Sequence, residues 1–185
     1  MNILNRLSSI PGRLFPAYCR IKKVVIAGKG YVSGRWPVIR NLGTFRLGSG
    51  VCFRSFRTKT RIDVLKNATL TIGDGCFIND GVNICCSISI TLGPYVKIAD
   101  WAVVYDTDFH PIDPSTPVHS ESVTVGKNVW IGARAMILPG STIGDHSIIA
   151  AGAIVRGAIP PRSIAAGIPA KVIKTFDCPD DWVRP

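Results

Sequence analysis

From Val125 the chain reads VGKNVW, IGARAM, ILPGST, IGDHSI, IAAGAI and VRGAIP, six consecutive six-residue units ending at Pro160. Every unit opens on a β-branched aliphatic: Val125, Ile131, Ile137, Ile143, Ile149 and Val155. The fifth positions are mostly small (Val129, Ala135, Ser141, Ser147, Ala153, Ile159), and Gly or Ala fills the second position in four of six units. An earlier block keeps the same beat: IGDGCF, INDGVN and ICCSIS from Ile72, Ile78 and Ile84. After a slip of two residues it resumes as LGPYVK and IADWAV from Leu92 and Ile98, with a weaker trace at Leu42 and Leu47.

A period of six does not suit a heptad helix, which needs persistent apolar residues at i+3 and i+4 and tolerates little glycine. Branched aliphatics separated by Gly-Asp and Gly-Asn turns predict short strands joined by tight corners. Three units close one triangular coil, and each inward aliphatic stacks on its counterpart about 4.8 Å away in the next coil. The beat fails between Val104 and Val123, in YDTDFHPIDPSTPVHSES. A long excursion inside a repetitive domain is usually functional. It carries Asp106, Asp108, Asp113 and Glu121, and two of the three histidines, His110 and His119. The expected organisation is a basic arm over residues 1–40, a coil domain over 41–175 with an excursion loop over 105–123, and a tail over 176–185. A short amphipathic helix is expected before Pro11 or after Pro16. The tail, TFDCPDDWVRP, reads as a short acidic cap or a partly ordered end.

The 185 residues are 46% hydrophobic and 18% charged, enough apolar matter for a core. No run of 18 apolar residues suits a membrane-spanning helix, and the first twenty residues lack the pattern of a secretory signal. Six cysteines without a C-x-x-C read as reduced thiols of a cytoplasmic protein. The net charge of +10 is lopsided: residues 1–66 carry fourteen Lys/Arg against Asp63 alone, whereas residues 67–185 are net acidic. A basic first third attracts anions, and an anionic membrane surface or a lipid-phosphate-linked glycan is the expected partner. No helix-turn-helix, RNA-recognition or finger motif accompanies it, so nucleic acid is not expected.

The hexads resemble those of the hexapeptide-repeat acyltransferases over roughly residues 70–175, and weakly over 40–70. That resemblance implies an all-β, left-handed parallel β-helix, acetyl-CoA as co-substrate, no metal, and a homotrimer with each active site between neighbouring tubes. The stretch TDFHP looks like the histidine-proline loop of the maltose and galactoside acetyltransferase branch, similar to polysaccharide-biosynthesis O-acetyltransferases. His110 then matches the general base, a role that suits an imidazole near neutral pH. One of Asp106, Asp108 and Asp113 is expected to fix its tautomer. The branch more often has a small residue where this chain has Phe109.

Asn79, Ser87 and Asp108 form the expected acceptor-binding set. Asn79 matches an asparagine that contacts the acceptor, and an amide both donates to and accepts from a hydroxyl. Ser87 stands where the branch has an acidic contact. Trp130, Ala133, Ala151, Arg156, Lys171 and Lys174 form the expected cofactor-binding set. Backbone groups at Ala133 and Ala151 would bond the pantetheine arm, the Ala133 amide would polarise the thioester carbonyl, and Trp130 would wall the groove. Lys171 and Lys174 match basic positions facing the CoA phosphates, with lysine where arginine is common. The expected activity is acetyl transfer to a hydroxyl of a sugar or glycan precursor. N-acetyl transfer to an amino sugar is the alternative, a zinc hydro-lyase of the carbonic anhydrase type a third reading, and a non-enzymatic scaffold a fourth. Neither Cys85 nor Cys86 sits in a recognisable nucleophile–base arrangement.

Overall fold

Side chains that alternate between a wet and a dry face need a wall to bury the dry one, and here three walls close on one another. The computed structural model describes residues 11–185. They wind as a left-handed parallel β-helix. The first wall stacks seven strands, starting with Val24–Ile26 and ending with Ala158–Ile159. The second stacks eight, from Tyr31–Gly34 through Trp130–Ile131 to Ser163–Gly167 and an antiparallel last strand, Ala170–Thr175. The third stacks six, from Val38–Asn41 through Asn83–Cys86 and Val103–Tyr105 to Ile154–Val155.

The register is that of the hexads. Val125 pairs with Ile143, Ile131 with Ile149, and Ile137 with Val155, one coil apart. All six first-position aliphatics are buried, as are all six fifth-position residues. Corners turn at the fourth position, where Asn128, Arg134 and His146 adopt left-handed backbone at φ 56°, 58° and 64°. The polar side chains of Ser141 and Ser147 enter the narrow interior because backbone carbonyls meet them: Ser141 donates to Leu138 and Ser147 to Pro160.

The coil begins earlier than residue 41. Strands Val24–Ile26, Tyr31–Gly34 and Val38–Asn41 already form a full rung, paired with the next one along. The hexad beat is invisible there because these strands run to four residues and their corners lack the Gly-Asp signal. The helix α1 (Pro11–Ile21) contains Pro16 rather than starting after it, and a helix before Pro11 would lie outside the described residues. Phe15 and Cys19 of α1 are fully buried. Phe15 packs on Phe53 at 5.7 Å and Trp36 at 6.1 Å, and the Tyr18 hydroxyl donates to the Pro37 carbonyl at 2.7 Å. The helix thus plugs the open end of the tube, where an exposed rung would leave apolar interior wet. No helix among the described residues is long and apolar enough to cross a membrane.

The tail is a strap. Asn128 accepts from the Arg184 amide at 2.9 Å, donates to the Trp182 carbonyl at 2.9 Å, and donates to Nδ1 of His146. Trp182 stacks on His146 with centroids 6.2 Å apart. His146 is therefore a buried structural residue of the corner between the first and second walls.

Candidate active site

Two corners of the tube carry the residues singled out from the sequence. At the corner between the third and first walls the chain leaves the coil after Val103–Tyr105 and returns at Val123–Val125. The base of this excursion is pinched shut. Thr107 and Ser120 form an antiparallel bridge, the Ser120 hydroxyl donates to that of Thr107 at 2.7 Å, and the Asp108 amide donates to the His119 carbonyl at 2.9 Å. Asp106, fully buried, anchors it by accepting from the amides of Ser87 at 2.6 Å and Ile88 at 2.8 Å. Phe109 takes left-handed backbone at φ 64° and lies edge-on against Tyr105, centroids 5.2 Å apart. That contact accounts for an aromatic where the related branch favours a small residue. His110 follows, exposed, its amide donating to the Asp108 carbonyl at 2.8 Å.

The three acids expected to orient His110 are engaged elsewhere. Asp106 is spent on the two amides, Asp108 pairs with Arg156 at 3.2 Å, and Asp113 accepts from Ser115 and Thr116. Hydrogen bonding to Ser115, above all from its hydroxyl, holds the Asp113 carboxyl below its usual range. Arg156, expected among the cofactor-binding residues, therefore braces the excursion loop. Ser87 donates its backbone amide to Asp106 at the root of the same corner.

At the corner between the second and third walls, Ala133 and Ala151 occupy the same position on successive rungs, with the Gly152 amide donating to the Ala133 carbonyl at 2.8 Å. Neither alanine's own N–H makes a hydrogen bond within the described chain. With only a methyl group at each position, an extended ligand can reach those amides. They line an open groove of about 450 Å³ with Arg57, Asp100, Trp101, Arg134 and Gly152. Trp130 stands on the outer face of the adjoining second wall, 42% exposed. Its outward column continues through Ile148 and Ile164 to Lys174, while Lys171 lies farther along the same exposed last strand. The Arg184 guanidinium sits 5.9 Å over the Trp130 ring.

Asn79 falls at this second corner, directly after Phe77–Ile78. Its backbone is fully bonded, to the Ile98 carbonyl and from the Thr60 hydroxyl, but its buried Oδ1 has no partner among the described residues. A buried acceptor left empty costs about 1–3 kcal/mol, which a ligand donor would recover. Asn83 and Tyr105, hydrogen-bonded at 2.7 Å, cover the third wall's outer face between the two corners.

The sequence reading missed Trp101, Arg57 and Asp100 in the groove. The signal for Trp101 was an indole in the fourth position of IADWAV, where the corner needs left-handed backbone. At the adjacent thiols Cys85 and Cys86 the surroundings disfavour the thiolate. Burial pushes Cys85 up to about 11 and Cys86 up to about 12, with nearby Asp106 adding to both. Among the described residues no group of three or more His, Cys, Asp or Glu gathers as a metal would require.

The comparisons with known proteins agree with this geometry. The family described as bacterial transferase hexapeptide (six repeats) matches residues 122–157. The chain is 33% identical over 156 residues to WbbJ of Escherichia coli, named as a lipopolysaccharide biosynthesis O-acetyl transferase, covering 77% of this chain and 78% of that protein. It is 34% identical over 134 residues to the galactoside O-acetyltransferase of E. coli, covering 72% of this chain and 58% of that one. A hexapeptide-repeat acetyltransferase from Vibrio cholerae superposes with a TM-score of 0.61 at 27% identity, covering 71% of this chain and 73% of the other. The same Vibrio protein complexed with acetyl coenzyme A superposes with a TM-score of 0.57 at 28% identity, covering 63% and 66%.

Proposed function

The chain belongs to the hexapeptide-repeat acetyltransferases, and from that premise we propose that it moves an acetyl group from acetyl-CoA to a hydroxyl of a saccharide acceptor, with His110 as general base. The observation that carries this reading is the pair of unspent amides at Ala133 and Ala151, side by side in one open groove. A pantetheine arm lying along the rungs offers carbonyls to both. Trp130 supplies the apolar wall, and Lys174 and Lys171 lie on the wall beyond it to receive phosphates. In the reaction His110 takes the proton from the acceptor hydroxyl as its oxygen attacks the thioester carbon. The Ala133 N–H donates to the carbonyl oxygen that gains charge. His110 then returns the proton to the departing CoA sulfur, so the base ends as it began. The saccharide acceptor is supported by the two E. coli relatives, whose names give galactoside O-acetyl transfer and an O-acetyl transferase of lipopolysaccharide biosynthesis.

One tube does not bring the base to the groove. The strand Val103–Tyr105, spanning about 10 Å at the usual rise, separates the Trp101 corner from the excursion that carries His110. We infer a homotrimer in which each groove receives the His110 loop of a neighbouring copy. We infer a docking role for the basic end, supported by Leu14, Ile21 and Val25, which are exposed beside Arg20 and Lys23. An anionic bilayer suits that mixture. Lys22→Glu with Lys23→Glu should weaken co-sedimentation with phosphatidylglycerol vesicles at low salt.

The deciding experiment is thiol release from acetyl-CoA across a panel of saccharides. His110→Ala should lower turnover by about 10²–10⁴ while acetyl-CoA binding persists. Undiminished turnover in that variant would remove His110 from the chemistry. Product that survives mild base treatment would mark an amide and favour amino-sugar N-acetylation.

A further inference from the structure

Trp101 is a large aromatic in a conformation that disfavours it. Its backbone lies at φ 63°, where a bulky L-residue costs of order 1–3 kcal/mol. Other rungs of the same corner use Gly81, Arg134 and Gly152 there, at φ 68°, 58° and 70°. The indole is laid flat over Gly81, so close that a Cβ on that glycine would meet the ring at 2.7 Å. Yet the residue stays 46% exposed, so packing recovers only part of the strain.

Its position sets it apart. Trp101 lines the groove that holds Ala133 and Ala151. The Arg134 amide donates to the Asp100 carbonyl, so the Asp100–Trp101 turn is the rung immediately before Ala133–Arg134. If the thioester carbonyl sits at Ala133 and the pantetheine arm runs past Ala151, Trp101 lies one rung, about 4.8 Å, on the opposite side of the reacting carbon. That is where the acceptor must be. Arg57, whose guanidinium reaches Asp100 at 2.7 Å, flanks the ring on the same side.

We propose that Trp101 is the acceptor platform: the apolar face of a pyranose ring stacks on its exposed indole and is thereby held one rung from the acetyl carbonyl. This rests on the acetyl-transfer reading above and adds the recognition element. An indole suits that task because it presents a broad apolar face at little cost in side-chain freedom. The molecule contains its own control. Tyr95 makes the same construction at the corner between the first and second walls, with φ 60° and its ring 2.6 Å from the point a Cβ on Gly75 would occupy. It is exposed to a similar degree, 38%, but does not line the groove. A purely architectural role would make the two aromatics equivalent.

The test compares Trp101→Ala, Trp101→Phe and Tyr95→Ala. Trp101→Ala should raise the acceptor KM about tenfold, leave the acetyl-CoA KM within twofold, and keep the oligomeric mass. Trp101→Phe should recover most of the loss, and Tyr95→Ala should behave as wild type. Saturation-transfer NMR with methyl glycosides of neutral and acidic sugars reads binding without turnover. Saccharide signal should be lost in Trp101→Ala and kept in His110→Ala. No transfer to the wild-type protein, equal transfer to Trp101→Ala, a rise confined to the acetyl-CoA KM, or a change of oligomeric mass would each overturn the platform. Failure of the acetyl-transfer reading itself shows differently: saccharides bind through Trp101, but none draws thiol from acetyl-CoA.

Discussion

The two candidate corners solve opposite problems. The corner of Ala133 and Ala151 contributes backbone: two N–H groups on successive rungs, with side chains too small to cover them. The corner of His110 contributes a side chain and has to build a support for it. Asp106 spends its carboxylate on two amides, Thr107 is bonded to Ser120, and Arg156 reaches across to Asp108. A repeating coil gives regularly spaced amides without further device, because every rung has the same corner. It gives no side chain that reaches far beyond its own corner, so the chain interrupts the repeat to obtain one. On the proposed function, regularity serves the extended ligand and irregularity serves the chemistry.

The sharpest way to break this contrast is to separate the corners onto different chains. Ala151→Leu fills the groove and should raise the acetyl-CoA KM about tenfold or more, while His110→Ala removes the base. If the corners that cooperate belong to neighbouring copies, unfolding and co-refolding equal amounts of the two variants should restore roughly a quarter of wild-type turnover, the share of sites assembled from two intact corners. Activity no higher than the mean of the separate variants would place base and groove on one chain.

The next effect is smaller and concerns the support alone. Asp106→Asn leaves one oxygen to accept where two amides donate, and the Ser87 or Ile88 N–H loses its partner. A buried unpaired amide costs about 1–3 kcal/mol, which for a domain of this size corresponds to a fall in Tm of roughly 3–10 °C. Because Asp106 also roots the excursion, kcat should fall with the acetyl-CoA KM unchanged. A variant that melts normally and turns over normally would mean that the loop is held by Thr107–Ser120 and Arg156–Asp108 without it.

The sequence disclosed the regular part far better than the irregular one, for the same physical reason. Residues 125–160 could be assigned rung by rung because each corner carries a Gly and each unit opens on an inward branched aliphatic. The first rung, residues 24–41, escaped because longer strands and corners such as Lys29-Gly30 break the phase. Its plug α1 could not be placed at all without knowing which end of the tube was open. Arg156 turns the corner of the His110 loop and not that of Ala133, which a hexad by itself does not disclose because it does not say which of three corners it turns. Counting by eighteen does, since it links Ala133 to Ala151 and leaves Arg156 apart. Trp101 was passed over because its beat was regular; the anomaly was the residue type at a position that requires left-handed backbone.

The thiols give the smallest effect and the cleanest sign. Cys85 faces outward on the third wall between the two corners, next to Asp63, and Cys86 faces inward, donating to the Thr69 carbonyl. Desolvation pushes Cys85 up to about 11 and Cys86 up to about 12 from an ordinary 9.0. A thiol raised in the folded state favours folding below its unfolded value, and that contribution is lost as pH climbs through the folded value. Stability should therefore decline from about pH 9 toward pH 11–12, and Cys85→Ala should flatten part of that slope in a series of thermal melts. At pH 8 both thiols are almost wholly protonated and buried, so iodoacetamide should label half-buried Cys178 before either of them. Rapid loss of acetyl transfer on labelling of Cys85 would bring a thiolate into the groove's chemistry and erase the division between an amide corner and an imidazole corner.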